Sequence, residues 1–149
     1  MKAKFNKKEI PKIAQNILDK IVKTKNNKAK ILALSGELGA GKTTLTQSFA
    51  KHLGVKEKIV SPTFVIMKFY NIGSKSIYYS SFKKLIHIDA YRLESSLELL
   101  KIGWEEIIEN NDNLIIIEWP EKVKKIIPPT VFNISLSHID EETRLIEFL

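Results

Sequence analysis

The chain contains no cysteine, which excludes disulfide bonds and zinc sites with cysteine ligands. It also has no apolar run long enough to cross a bilayer, and residues 1–8 lack the apolar core of a secretory signal. We therefore expect a cytoplasmic protein with no membrane partner. The length of 149 residues suits a single domain, and we expect residues 1–149 to form it.

Arginine is scarce as well, because Arg92 and Arg144 are the only two arginines among 24 basic residues. The net charge of +7 suggests a nucleic-acid partner, since clustered cations release counterions from a phosphate backbone. The lysines are scattered, however, and the chain is also rich in isoleucine and asparagine. A general compositional bias explains the charge as readily as a binding surface, so direct contact with tRNA or DNA is the weaker interpretation.

One glycine-rich segment carries a specific pattern. Residues 36–43 match G-x-x-x-x-G-K-[ST] at every fixed position, in the order Gly36, Glu37, Leu38, Gly39, Ala40, Gly41, Lys42 and Thr43. In such a loop, backbone N–H groups surround a phosphate, the lysine adds positive charge and the hydroxyl can bind Mg²⁺. Residues 29–35 look like a buried parallel strand, and residues 44–53 have helical spacing, so a helix would begin at the phosphates. The sequence therefore predicts binding of a nucleoside triphosphate.

The rest of the chain alternates helix and strand patterns, which is typical of α/β layers. An amphipathic helix is predicted over residues 10–22, and one or two short helices, broken near Gly103, over residues 96–110. Extended segments are predicted at residues 63–70, 76–79, 85–89, 114–118, 131–137 and 144–149. We expect one P-loop NTPase domain with a mixed, mostly parallel central sheet flanked by helices. Trp104 is expected in its core.

Acidic residues end two of the predicted strands, Asp89 after residues 85–88 and Glu118 after residues 114–117. The carboxyl ends of strands line the ligand crevice of open α/β sheets. A carboxylate there can hold Mg²⁺ directly or through water, or orient an attacking water. Ser61 and Thr63 flank Pro62 beyond the predicted loop helix, and their hydroxyls could sense a terminal phosphate. Taken alone, that segment is a simple turn.

With these motifs in combination, the chain resembles the TsaE family, formerly called YjeE. This family comprises small bacterial P-loop ATPases required for threonylcarbamoyladenosine modification of tRNA. The matching stretches are residues 36–45 (GELGAGKTTL), 61–64 (SPTF), 87–93 (HIDAYRL) and 117–121 (IEWPE). They occur in the family's order and at similar spacing, and the resemblance covers nearly the whole chain. Residues 74–84 depart from it, because this stretch is several residues longer than usual.

The resemblance implies a role for each matched position. The 36–43 loop and Thr44 would bind the nucleotide, and Thr43 and Glu118 would be the direct Mg²⁺ ligands. Catalytic roles are implied for Lys42, Thr63, Asp89 and Glu118. Thr63 would be the switch residue, and Asp89 would be an indirect metal ligand or the group that polarises water.

The remaining positions are less sharply assigned. Trp119 would line the nucleotide pocket or a partner surface, and Arg144 would contact the nucleotide. Arg92 would either pair with an acid to brace its loop or reach a partner protein. His52, His87 and His138 lack metal-ligand spacing and a neighbouring nucleophile, so no chemistry is assigned to them.

The implied reaction is slow hydrolysis of Mg·ATP to ADP and phosphate, coupled to partners of the TsaD and TsaB type that modify tRNA, with tRNA an indirect partner. A small P-loop kinase is one alternative, although such kinases usually use a lid and several arginines. A nucleotide-gated binding module with incidental hydrolysis is another. A GTPase is less favoured, because no Asn-Lys-x-Asp motif occurs in the chain.

Overall fold

The computed structural model describes residues 1–62 and 64–148, and within them seven strands form one sheet. The strands are β1 (Lys2–Asn6), β2 (Lys30–Gly36), β3 (Met67–Asn71), β4 (Lys84–Asp89), β5 (Asn113–Glu118), β6 (Phe132–His138) and β7 (Thr143–Phe148). Their order across the sheet is β1-β7-β6-β2-β5-β4-β3.

The four central strands, β6, β2, β5 and β4, are mutually parallel. The pairings β1 with β7, β6 with β7 and β3 with β4 are antiparallel. Because β1 and β6 are both antiparallel to β7, β1 points the same way as the central strands. Five strands thus share one direction while β3 and β7 oppose it, which confirms the expected mixed sheet; the expected parallel pairing holds for its four central strands, and the three other pairings are antiparallel.

Helices cover both faces of the sheet. On one face lie α1 (Ile10–Val22) and α2 (Lys42–His52); on the other lie α3 (Ser96–Lys101), α4 (Trp104–Glu109) and a 3-10 helical segment, Pro120–Ile126. Strands β4 and β5 are buried on both sides, so their apolar residues are nearly continuous in sequence. Leu85 and Leu114 face α1 and α2, whereas Ile86 and Ile115 face α3 and α4. This alternation places the residues at the strand ends on a defined face.

Most predicted elements are confirmed to within one or two residues, and two segments differ. Residues 76–79, predicted as extended, form a turn, so that prediction is wrong. The strand predicted over residues 63–70 begins at Met67, because residues 64–66 form a turn; Thr63 lies outside the described residues. The break between α3 and α4 falls at Gly103, whose φ of 97° suits glycine. Strand β1 and the 3-10 helices Lys7–Glu9 and Pro120–Ile126 were not predicted.

The 76–79 turn is packed against the helices and does not pair with a strand. Tyr78 is only 3% exposed, and its hydroxyl donates a hydrogen bond to Asp19 Oδ1 of α1 at 2.8 Å. Ser76 Oγ donates to the carbonyl of His52 at the end of α2, at 2.9 Å. These contacts with two helices explain why residues with high strand propensity form a turn here.

Tyr78 gives the fold a testable pH dependence. Burial, and then the hydrogen bond and charge of Asp19, raise the pKa of Tyr78 to about 12, from an ordinary value of 10.0. Since the pKa is raised in the folded protein, this contribution to stability is complete below pH 10 and lost as pH rises towards 12. The free energy of unfolding should therefore fall more steeply across this range in the wild-type protein than in Tyr78→Phe. Urea unfolding at several alkaline pH values measures this, with Tyr79→Phe in the same turn as control; equal slopes for wild type and Tyr78→Phe would contradict the assignment.

None of the helices formed by the described ranges, 1–62 and 64–148, is both long enough and apolar enough to span a membrane.

Candidate functional site

A cavity of about 390 Å³ lies where β4, β5 and the glycine-rich loop end and α2 begins. It gathers predicted residues from four separate parts of the sequence. Its lining consists of Leu38, Gly39, Gly41, Lys42, Thr43, Thr44, Ser61, Asp89, Tyr91, Arg92, Glu118 and Trp119. The strand ends and the loop therefore meet as the sequence analysis expects.

The shape of the loop depends on glycine at its two ends. A Cβ on Gly36 would lie 2.4 Å from the carbonyl oxygen of Leu136 on the neighbouring strand β6, so no side chain fits there. Gly41 has a φ of 104° and is the N-cap of α2, which begins at Lys42. The left-handed backbone at Gly41 turns the chain directly into the helix, so the free N–H groups of the first turn of α2 lie at the cavity.

Lys42 is folded back onto its own loop. Its Nζ donates hydrogen bonds to the carbonyls of Gly36 and Glu37, at 2.7 and 2.9 Å, and lies 4.0 Å from the centre of the Trp119 ring. Only 5% of the residue is exposed. Burial lowers the pKa of Lys42, while the nearby carboxylates of Glu118, Glu121 and Asp89 act in the opposite direction. The ammonium group of Lys42 thus lies at the edge of the cavity, between the two loop carbonyls and the face of the Trp119 ring.

Glu118 is the most densely bonded side chain at the site and is only 3% exposed. Thr43 Oγ1 lies 3.1 and 3.2 Å from its two carboxylate oxygens. His87 Nε2 contacts Glu118 Oε1 at 2.8 Å, and Thr46 Oγ1 lies at 3.5 Å. The two residues expected to bind Mg²⁺ are therefore in direct contact, although they are 75 residues apart in the chain.

His87 and Thr46 belong to this cluster but were not predicted from the sequence as site residues. His87 lies two residues before Asp89 on the same face of β4, and that strand pairs with β5, which carries Glu118. A buried histidine inside an otherwise apolar strand is the signal that could have identified it.

Asp89 is held in a fixed orientation beside Glu118, its neighbour in the register of β4 and β5. Ser61 Oγ donates to Asp89 Oδ2 at 2.6 Å, and the backbone N–H of Tyr91 donates to Oδ1 at 3.0 Å. Asp89 as a whole residue is 9% exposed. The segment before β3 therefore contacts the site through Ser61. Thr63, the predicted switch residue, lies outside the described residues.

Two further predicted residues, Trp119 and Arg92, line the cavity. Trp119 follows Glu118 with a left-handed φ of 60° and packs against Tyr91, with ring centres 5.0 Å apart. The guanidinium of Arg92 lies 5.1 Å from the centre of the Phe64 ring, and it forms no ion pair with an acid of the described chain. The described residues therefore do not show the ion pair with an acid that was one of the two expectations for Arg92.

Arg144 lies outside the main cavity. Its Nη1 donates hydrogen bonds to the carbonyls of Asp140 and Thr143, at 2.7 and 3.1 Å, and so braces the turn between β6 and β7. It also lines a smaller cavity of about 170 Å³ beside the glycine-rich loop, together with Phe5, Lys7, Ile10, Gly39, Ala40, Gly41, Thr44 and Leu45. Contact of Arg144 with a nucleotide stays a prediction.

The donor set fits a metal that is bound jointly with a ligand. Over the described parts of the chain, no group of three or more His, Cys, Asp and Glu side chains is arranged to bind a metal alone. The hydroxyl of Thr43 and the carboxylate of Glu118 are hard oxygen donors, and Mg²⁺ commonly takes one or two protein ligands together with phosphates and waters. These residues therefore fit Mg²⁺ on a phosphate ligand better than a purely protein-bound ion.

A family model described as "Threonylcarbamoyl adenosine biosynthesis protein TsaE" matches residues 6–146 of this chain. The chain belongs to the TsaE family. Its relatives in the family include the tRNA threonylcarbamoyladenosine biosynthesis proteins TsaE of Rickettsia felis, Nostoc sp. and Bacillus subtilis, which are 39%, 40% and 34% identical over 116, 120 and 118 residues. These matches cover 77%, 78% and 79% of this chain, and 62%, 68% and 68% of the relatives. This chain thus spans about three fifths of the Rickettsia felis protein.

The fold agrees with this membership. The crystal structure of Bacillus subtilis YdiB superposes with a TM-score of 0.72 and 28% sequence identity, covering 99% of this chain and 83% of YdiB. The family takes part in the biosynthesis of threonylcarbamoyladenosine in tRNA. This chain and Bacillus subtilis YdiB therefore share one α/β fold, which in this chain is a mixed sheet flanked by helices.

Proposed function

We propose that this chain is a Mg²⁺-dependent P-loop ATPase that supports transfer of a threonylcarbamoyl group to the adenosine next to the anticodon of tRNAs. The observation that carries the proposal is the meeting of Lys42, Thr43, Asp89 and Glu118 at one cavity, where a glycine-capped helix begins. A lysine, a hydroxyl and strand-end carboxylates around such a helix are the parts that P-loop NTPases use on Mg²⁺ and phosphates. Membership of the TsaE family supports the biological role.

Each residue would contribute positioning or charge. Lys42 would exchange its two loop carbonyls for the outer phosphates, and Thr43 with Glu118 would hold Mg²⁺. Bound Mg²⁺ would neutralise phosphate charge. Asp89, fixed by Ser61 and by the backbone of Tyr91, would orient the attacking water or act as an indirect metal ligand. Phosphoryl transfer requires little covalent chemistry from the protein, so these roles suffice for slow hydrolysis.

The smaller cavity beside the loop would take the nucleoside half of ATP. It shares Gly39, Gly41 and Thr44 with the main cavity but not Glu118, and Phe5, Ile10 and Leu45 give it an apolar wall. Arg144 lies on its rim and offers a planar cation to the base or the ribose. ATP is proposed over GTP because the chain lacks a guanine-recognition motif.

The partners would be proteins of the TsaD and TsaB type, in the cytoplasm, with tRNA engaged through them. Pull-down from native cells, repeated with ADP and with a non-hydrolysable ATP analogue, tests this role. Recovery of the threonylcarbamoyl transfer proteins, and a higher ATPase rate when they are added back, is the expected result. Absence of these proteins in both nucleotide states would remove the biological half of the proposal.

Reaction with γ-³²P-ATP distinguishes an ATPase, which transfers the γ-phosphoryl group to water, from a kinase, which transfers it to a metabolite. The ATPase proposal expects the label in inorganic phosphate, whereas a small P-loop kinase would place it on a metabolite hydroxyl. With only two arginines to shield a transferring phosphoryl group, the chain favours hydrolysis. Label on any small molecule other than phosphate would overturn the hydrolase proposal.

Replacing Lys42 with alanine should weaken ATP binding by roughly 10- to 100-fold, because a hydrogen bond to a charged group contributes about 1.5–3 kcal/mol. Binding is measured by isothermal titration calorimetry, because a fluorescence signal from Trp119, whose ring centre lies 4.0 Å from Lys42 Nζ, would itself change when Lys42 is removed. Lys51→Ala, an exposed lysine near the other end of α2, is the control and should leave the affinity unchanged. Equal affinities for Lys42→Ala and wild type would argue against a phosphate role for Lys42.

A further inference from the structure

Among the described residues of the site, His87 is the fully buried ionisable group to which the proposed reaction gives no role. It is 0% exposed, in the middle of β4, and its side chain lies on the same face as Asp89 and Glu118. Its neighbours along the strand, Ile86 and Ile88, are apolar and buried. A buried position in the middle of a strand normally holds an apolar residue, so the presence of an imidazole ring here needs a structural or functional explanation.

The hydrogen bonds assign the proton of the ring. Nε2 lies 2.8 Å from Glu118 Oε1, and because an ionised carboxylate oxygen only accepts, a hydrogen bond between them requires the proton on Nε2. Nδ1 has no hydrogen-bond partner within the described residues. A proton on Nε2 pairs that donor with the carboxylate, and Nδ1 has no partner to which it could donate.

Among the described residues that contact Glu118, His87 alone has a donor with no second partner or proposed role. Thr46 Oγ1 has a single proton, which it donates to the carbonyl of Lys42 at 3.0 Å, and its distance to Glu118 is 3.5 Å. Thr43 Oγ1 contacts Glu118 too, but the same oxygen is the proposed metal ligand. His87 therefore holds the carboxylate whether or not Thr43 is engaged elsewhere.

We propose that His87 is a positioning residue whose Nε2–H fixes the Glu118 carboxylate in the orientation that presents it, with Thr43, to Mg²⁺. The inference rests on the proposed function, which supplies the metal. Hydrogen bonds that orient a ligating carboxylate commonly set metal affinity, and their loss lowers it by about 10- to 100-fold. His87 would thus act on the metal through Glu118 and would not touch the nucleotide.

The test compares His87→Leu, which removes the donor, with His87→Gln, whose amide can donate from near the position of Nε2. The Mg²⁺ concentration for half-maximal hydrolysis, and Mn²⁺ binding to the ADP complex by electron paramagnetic resonance, both report the metal site. His87→Leu should raise both half-saturating concentrations by roughly 10- to 100-fold, and His87→Gln should restore most of the loss. Affinity for ADP in EDTA should be nearly unchanged in both variants.

The matched control is His52→Leu, since His52 also pairs a ring nitrogen with an oxygen, the carbonyl of Pro11, but lies outside the cavity. It should leave the metal dependence unchanged. A loss of thermal stability that is equal in His87→Leu and His87→Gln, with unchanged metal dependence, would show a purely structural role and overturn the proposal. If wild type binds Mn²⁺ with ADP but hydrolyses nothing, the ATPase proposal fails and the Mn²⁺ titration still decides on His87.

A measurement on the wild-type protein covers the case in which the variants do not fold. Long-range ¹H–¹⁵N correlation spectra at neutral pH identify which ring nitrogen of His87 carries the proton. A proton on Nε2 supports the proposal, and an unprotonated Nε2 overturns it, because the contact with Glu118 would then lack a donor.

Discussion

Replacing Glu118 with glutamine should lower the rate of ATP hydrolysis by about 100- to 1000-fold, the range seen when one preorganised electrostatic contact to a transition state is removed. The amide keeps the size of the side chain and an oxygen that can accept from His87, but it loses the negative charge proposed to hold Mg²⁺. Nucleotide binding without metal should change little, because Lys42 and the loop N–H groups remain. Phosphate release and ADP affinity in EDTA measure the two effects separately.

Glu105→Gln makes the same change of charge at an exposed position of α4 and should hydrolyse ATP at the wild-type rate. The Glu118 variant also separates the enzyme from a nucleotide-gated binding module. If Glu118→Gln loses turnover but still assembles with its partners and supports tRNA modification in cells, hydrolysis is incidental to the role. Loss of turnover and of modification together favours the ATPase as the working activity.

The parts of the fold that could be predicted are those whose burial shows in the sequence. Strands β4 and β5 are enclosed on both faces, so they appear as apolar runs that end in Asp89 and Glu118. Helix α1 buries a single stripe, which gives a regular spacing of apolar residues. Strand β1 buries only Phe5 and obtains its other bonds from backbone pairing with β7, so its lysine-rich sequence gives no such signal.

The parts of the site that could not be predicted depend on distant contacts. The sequence places Thr43 and Glu118 at the ends of their own elements, and the general rule for strand ends brings them to one edge. A histidine inside an apolar strand marks His87 as unusual, but its contact with Glu118 cannot be predicted locally, because it arises from the pairing of β4 with β5. In the same way, the turn at residues 76–79 is set by Asp19 and His52, which are far away in sequence.

Trp104→Ala should reduce the free energy of unfolding by about 3–5 kcal/mol, the usual cost of truncating a buried tryptophan. The side chain is 1% exposed and belongs to the apolar layer beneath α3 and α4, and its Nε1 donates a hydrogen bond to the carbonyl of Ile126 at 3.2 Å. Since domains are commonly stable by only about 5–15 kcal/mol, this single change would remove a large share of the total. Urea unfolding measures it. Leu97→Ala is the control, because Leu97 is 62% exposed on α3 and should cost under about 0.5 kcal/mol.

A second variant of the same residue, Trp104→Phe, tests whether the apolar layer under α3 and α4 supports the site. Ile126 ends the 3-10 helical segment Pro120–Ile126, which directly follows Glu118 and Trp119, so Trp104 anchors the far end of the chain segment that carries both residues. Trp104→Phe keeps most of the apolar volume but leaves the Ile126 carbonyl without its donor. Amide hydrogen exchange in residues 120–126 should therefore rise in Trp104→Phe by more than in α1, on the opposite face of the sheet. A uniform rise across both faces would instead mean that Trp104 acts on global stability alone.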